Sequence, residues 1–234
     1  LSSASGLADI YNGVGSAWGD YDNDGDFDLY LSNGAMADRI FNNGGGLLFN
    51  PISGENIGDT GNGRGVVWGD FNNDTNLDVY VVRHNQRDLF LLNDGLGGFQ
   101  KIPVGPEEAD GPGNAVSCGD LDGDGDLDLF ITREGQGNVL LSNNFAGDNN
   151  YFELNLTGSD LQPDAIGAVV RLTAGGITQI RTLSAGSGYL AMDAKTMHFG
   201  LADISTIDSV EITWPDGTVQ TLNNLGANQI MHVT

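Results

Sequence analysis

Thirteen of the chain's 32 acidic residues fall in three short loops. The first runs Asp20-Tyr21-Asp22-Asn23-Asp24-Gly25-Asp26-Phe27-Asp28 and the second Asp70-Phe71-Asn72-Asn73-Asp74-Thr75-Asn76-Leu77-Asp78. The third runs Asp120-Leu121-Asp122-Gly123-Asp124-Gly125-Asp126-Leu127-Asp128. Carboxylates so close together repel one another unless a cation lies among them. Calcium fits this donor set, being a hard ion that takes six to eight oxygens. The spacing D-x-D-x-D-G-x-x-D brings the first, third and fifth side chains to one side of a tight turn. These are Asp20, Asp22 and Asp24; Asp70, Asn72 and Asp74; and Asp120, Asp122 and Asp124. The seventh position (Asp26, Asn76, Asp126) offers its backbone carbonyl. The ninth (Asp28, Asp78, Asp128) closes the shell as the next strand begins.

The sequence thus predicts three calcium sites of unequal strength. Gly25 and Gly125 at the sixth position permit the sharp bend. Loop two has Thr75 there and Asn72 in place of an aspartate. A β-branched residue is strained wherever φ must be positive, and the lost carboxylate removes a charge. Loop two is therefore expected to bind most weakly. An EF-hand is excluded, because its twelfth position needs a bidentate Glu between two helices. Here that position holds Leu31, Val81 or Ile131. A closed shell of protein oxygens suits a structural ion rather than a catalytic one.

The elements around the loops repeat with them. Trp18-Gly19-Asp20 recurs as Trp68-Gly69-Asp70 and Cys118-Gly119-Asp120, an offset of 50 residues each time. A second landmark follows: Ile40-Phe41-Asn42-Asn43-Gly44, Leu91-Leu92-Asn93-Asp94-Gly95 and Leu140-Leu141-Ser142-Asn143-Asn144. After each loop the apolar residues alternate (Phe27, Leu29, Leu31; Leu77, Val79, Val81; Leu127, Leu129, Ile131), which predicts a strand with one apolar face. Gly, Asn and Asp punctuate short β-rich runs, and helical periodicity is almost lacking. The fold class is therefore all-β. Repeats of this length with about four strands suit propeller blades. The repeats are placed at residues 1–50, 51–100 and 101–148, with a separate β-sandwich-like domain over 149–234. That domain shows β-runs at 152–156, 168–172, 179–183, 210–214 and 219–222. The turn Trp214-Pro215-Asp216-Gly217-Thr218 joins the last two.

Composition narrows the function. Nine basic against 32 acidic residues give a charge of −23, which repels nucleic acid and anionic membranes. No apolar run approaches the roughly 20 residues of a membrane helix, so no membrane insertion is expected. Leu1 opens no signal peptide, and the numbering starts either after a cleavage or inside a longer chain. The single cysteine, Cys118, forbids an intrachain disulfide and reads as a buried inert thiol. No G-x-S-x-G, H-E-x-x-H or P-loop occurs, and His84, His198 and His232 are scattered. The chain is expected to be no enzyme, with no catalytic residue. Trp18 and Trp68 read as core residues beneath their loops, with sugar stacking as the sharper alternative. Two glycosylation sequons begin at Asn73 and Asn155; the first, in loop two, is expected to face solvent.

The three loops resemble FG-GAP/VCBS repeats, the calcium-bearing blades of integrin α-subunit propellers and of many secreted bacterial proteins. Ala165-Ile166-Gly167-Ala168-Val169-Val170, Gly186-Ser187-Gly188-Tyr189, His198-Phe199-Gly200-Leu201 and Trp214-Pro215-Asp216-Gly217 resemble the ASPIC/UnbV domain. The order is similar to the cartilage acidic protein family and its bacterial relatives. Thr75, Cys118 and Ala202 depart from the pattern, the last where the family usually has Gly. The resemblance implies an extracellular or cell-surface, calcium-binding, non-enzymatic protein of adhesion or matrix type. Closed propellers need about four to eight blades, so three cannot close alone. Open β surfaces invite pairing with another chain. A homo-oligomer or filament is expected, with terminal strands exchanged between copies as one route. The alternatives are a lectin-like or protein-binding propeller that docks a glycan or extracellular partner, and an accessory fragment of a larger secreted protein.

Overall fold

The computed structural model describes residues 5–7, 11–46, 48–52, 57, 60–103, 110–159 and 162–234. Among them there is no helix, in keeping with the turn-rich, alternating sequence. Repeat one is the antiparallel meander β1 (Gly13–Gly19), β2 (Asp28–Asn33), β3 (Arg39–Asn43) and β4 (Phe49–Ile52). Repeat two follows the same plan with β5 (Gly63–Gly69), β6 (Asp78–Arg87), β7 (Leu89–Asn93) and β8 (Phe99–Ile102). Repeat three supplies β9 (Asp110–Gly119), β10 (Asp128–Arg133) and β11 (Val139–Leu141). In each repeat the acidic loop joins the first two strands, whose ends pair as Gly19↔Asp28, Gly69↔Asp78 and Gly119↔Asp128. β6 runs on past its blade and pairs with β9 at His84↔Pro112, so repeats two and three share one sheet. None of the sheets closes into a barrel.

The period-two alternation sorts residues onto two faces of each blade, and the blades stack front to back. The front of repeat one (Ala17, Tyr21, Tyr30, Ile40) packs on the back of repeat two (Ile57, Leu77, Val79, Val81, Leu91). The front of repeat two (Val67, Phe71, Tyr80, Val82) packs in the same way on Leu127, Leu129 and Ile131 of repeat three. Trp68 lies in the first of these joints, as expected, and its indole N–H donates to the Ala17 carbonyl at 3.1 Å. Trp18 departs from expectation: it is 52% exposed, since none of the described repeats lies against it as repeat one lies against Trp68.

The C-terminal domain begins with β12 (Asn150–Leu156), followed by β13 (Val169–Ala174), β14 (Ile177–Thr182), β15 (Met197–Ala202), β16 (Thr206–Thr213), β17 (Val219–Gly226) and β18 (Gln229–Val233). One sheet runs β15-β12-β18, with β12 and β18 parallel, and the other β14-β13-β16-β17. Phe152, Leu154, Val170, Leu172, Phe199, Leu201, Val210 and Ile212 bury themselves between the sheets as a sandwich core. β15 and β18 had no separate expectation in the sequence. The turn at Trp214–Thr218 forms as the residues dictate: Gly217 takes φ +86° and its N–H reaches the Trp214 carbonyl at 2.9 Å.

Candidate calcium loops and the domain that covers them

In all three loops the first aspartate folds the turn around itself. Asp20 Oδ1 and Oδ2 accept from the N–H groups of Asp24 and Gly25, and Asp70 accepts likewise from Asp74 and Thr75. Asp120 accepts from Gly123 and Gly125. The ninth aspartate ties the loop to the rest of the blade. Asp28 Oδ2 accepts from Tyr21 N and its Oδ1 from Asn43 N, at 3.1 and 2.8 Å. Asp78 accepts from Phe71 and Asn93, and Asp128 from Leu121 and Asn143, in the same pattern. The Asn-rich landmark of the sequence is thus the clamp that receives each loop.

Carboxylate oxygens of Asp20, Asp22 and Asp28 lie within 4.8 Å of one another, as do those of Asp120, Asp122 and Asp124. Those distances fit a shared cation with oxygen ligands. Loop two forms no three-carboxylate cluster among the described residues, since Asn72 holds the third position and its amide donates to Asp74 at 2.8 Å. Asp24 Oδ1 accepts from Asp26 N, and Asp124 Oδ1 from Asp126 N. Asn76 turns its amide on Asp74 of its own loop, while Asp126 receives that of Asn73 from loop two. Burial raises Asp20 to about 6, and the charges of Asp24 and Asp22 add to the rise. Burial likewise raises Asp28 and Asp70 to about 7, against opposing backbone N–H donors. Asp78 moves up for the same reason. These are carboxyls waiting for a proton or a metal ion.

Thr75 adopts φ +84°, where Gly25 and Gly125 have +100° and +90°. The strain foreseen for a β-branched residue is therefore real. Replacing Thr75 by Gly should stabilise the chain by about 1 kcal/mol, read as a higher denaturant midpoint with an unchanged slope. A lower midpoint would mean that the methyl and hydroxyl contacts of the buried Thr75 outweigh the strain.

The loops also join one another. Asn23 Nδ2 donates to the Thr75 carbonyl, and Asn73 Nδ2 to the Gly125 carbonyl and to Asp126. In the other direction, Asn93 and Asn143 reach the carbonyls of Tyr21 and Phe71, both at 2.8 Å. Asn73 is consequently buried, which corrects the expectation that it faces solvent. A folded chain should carry no glycan there. Peptide mass mapping of secreted material checks this, and an Asn73 glycan would contradict the joint as described. Asn155 is half-buried and its Oδ1 accepts from Thr196.

The C-terminal domain lies over loops two and three. Gly200 passes so close to loop two that a Cβ would fall 2.1 Å from Asp70 Oδ2, and the Ala202 N–H donates to the Asn73 carbonyl. Ala202 itself takes φ +50°, which explains the family's usual Gly there. His198 Nε2 donates to the Gly125 carbonyl at 2.9 Å, and its ring lies parallel to Tyr151. Burial lowers His198 to about 4, so it is a neutral packed imidazole. Arg181 sits over the Phe199 ring, and its charge favours the ionised forms of Asp70 and Asp20. Nothing in the sequence around Arg181 signals that role.

A loop of the same domain enters the cleft between the first strands of the three repeats, a space of about 900 Å³. Gly188 N donates to the Ser16 carbonyl, and Ala194 N to that of Cys118. Cys118 N in turn donates to Asp193 Oδ1. Burial, with the Asp193 carboxylate, pushes the Cys118 thiol up, which keeps it protonated. The two modules match known families in the same order along the chain. The chain fits the FG-GAP-like repeat over residues 20–81 and again over 70–131, and ASPIC and UnbV over 158–234. This is an FG-GAP-repeat protein with an ASPIC and UnbV domain. No curated protein gives a significant match. FG-GAP repeats often bind calcium and are typical of extracellular or cell-surface proteins. Among the described residues, no helix of this FG-GAP protein is long and apolar enough to cross a membrane.

Proposed function

We propose that this FG-GAP protein is an extracellular, calcium-stabilised structural or adhesion component that self-associates into an oligomer or fibre, with no catalytic role. The convergence of buried, proton-hungry carboxylates at the blade joints carries the reading. An ion there neutralises the repulsion where one repeat is fastened to the next, so calcium locks blade to blade rather than serving a substrate. Loops one and three would hold calcium through Asp20, Asp22, Asp24 and Asp28 and through Asp120, Asp122, Asp124 and Asp128, with the Asp26 and Asp126 carbonyls. Loop two would use Asp70, Asn72, Asp74 and Asp78 with the Asn76 carbonyl, more weakly.

Calorimetric titration with calcium, paired with particle sizing by negative-stain microscopy, tests both halves. Three binding events, one weaker, and large particles that fall apart in chelator are expected. Absence of calcium uptake would remove the ion, and small monomers under both conditions would remove self-association. A binding module is the second reading, favoured by exposed Trp18 on the wall of the central cleft. Glycan-array capture by a monomeric chain would select it.

A further inference from the structure

The repeat presents each position three times, and comparing their surroundings isolates one surface. Tyr21, Tyr30 and Ile40 are buried by repeat two, and Phe71 and Tyr80 by repeat three. The equivalent Leu121, Phe130 and Leu140 of repeat three are 62%, 40% and 57% exposed. Tyr30 and Tyr80 also pin Asp38 and Asp88 through their hydroxyls, whereas repeat three has Phe130 and Asn138 at those places. The front of repeat three is thus an apolar blade face on which none of the described repeats is stacked, while the C-terminal domain sits on the loop side.

The chain also carries the surface that would cover it. The back of repeat one is built like the backs that fill the two internal joints. Leu7, Leu29, Leu31, Phe41 and Phe49 stand where Ile57, Val79, Val81, Leu91 and Phe99 stand in repeat two; Leu29, Phe41 and Phe49 are already buried within the chain, which leaves the 52% exposed Trp18 as the contact this back offers. Trp18 stands where Trp68 inserts, and it has no hydrogen-bond partner among the described residues. Asn43 stands where Asn93 and Asn143 reach back to a preceding repeat, and it finds only the Phe27 carbonyl of its own.

We propose that the front of repeat three binds the back of repeat one of a second copy, recreating the joint that the chain already makes twice internally. Trp18 of one copy packs on Leu121 and Phe130 of the next and donates its indole N–H to the Ser117 carbonyl. Asn43 reaches the Leu121 carbonyl. The two surfaces differ, so the contact is heterologous, and each added copy presents a fresh front or back. Copies of charge −23 repel one another, and salt near 0.15 M screens that repulsion to within about 8 Å. This inference rests on the self-association reading and specifies its surface.

The test uses the 234-residue chain in millimolar calcium, followed by light scattering across a dilution series. Leu140→Asp blocks the front and Trp18→Asp the back; each should raise the dissociation concentration by about thirtyfold or more. Asn43→Ala, a milder change, should move it in the same direction. The decisive sample mixes the front-blocked and back-blocked chains. Each retains one good surface, so the mixture should give a 1:1 pair and nothing larger. If the unmodified chain assembles and all three variants assemble equally well, this surface is wrong and self-association stands. If the unmodified chain remains a monomer, or its front is covered by a glycan or another protein instead, both readings fall.

Discussion

Adding millimolar calcium to the chelated chain should raise its thermal unfolding temperature sharply, and the rise should depend on pH. Each site filled at a hundred times its dissociation constant contributes about 2.7 kcal/mol. Three sites sum to more than half the stability of an ordinary domain. The pH dependence follows from the buried carboxyls. Without calcium, native Asp20 holds its proton to about pH 6, and Asp28 and Asp70 to about 7. In the unfolded chain these groups ionise near 4. Between those limits the native state binds more protons, so the calcium-free chain should lose stability as pH rises from about 4 to about 7. Calcium takes the place of those protons, and its stabilising effect should grow across the same interval. Scanning calorimetry at pH 4.5 and 7.5, with and without the ion, reads both trends. A calcium-free chain that gains stability toward neutral pH would contradict the burial of these groups.

The second large effect belongs to Asp78. Its carboxylate is fully buried and receives the N–H groups of Phe71 and Asn93, at 3.0 and 2.9 Å. Asp78→Ala strands both donors where water does not reach. At about 1–3 kcal/mol for each buried unpaired group, the loss should be about 2–6 kcal/mol even without calcium. The same change at Asp22, an exposed side chain whose donors, the Asn42 amide among them, can turn to water, should cost little in chelator and act mainly through the ion. Urea midpoints of the two variants, in chelator and in calcium, separate a strut from a pure ligand. Equal losses for both in chelator would show that the ninth aspartate carries no special structural load.

Much of this arrangement was legible in the residues. The 50-residue offset, the period-two alternation after each loop and the Asp spacing express local rules, and they foretold the blades, the acidic turns and the strain at Thr75. The contribution of Asn43, Asn93 and Asn143 was visible only as a landmark, because the carbonyls they meet lie in other loops. Asn73 misled for the same reason: a residue at a turn tip is normally solvated, and only the stacking of repeat three and of the C-terminal domain buries it. Trp18 misled in the opposite sense, since burial of that position is a property of the preceding repeat and not of its own. Arg181 and the Gly186–Ala194 segment bear on the repeats from more than 50 residues away in sequence, and no local pattern encodes such an encounter.

That segment has a consequence for how the chain can vary. Within a few residues it touches the first strand of every repeat: Gly188 at Ser16 and against the Val66 carbonyl, and Ala194 at Cys118 beside Gly119. It behaves as a ruler graduated for three blades. A sequence that gained or lost one 50-residue unit would slide every mark out of place, so the number of repeats can change only if the ruler is recut with it.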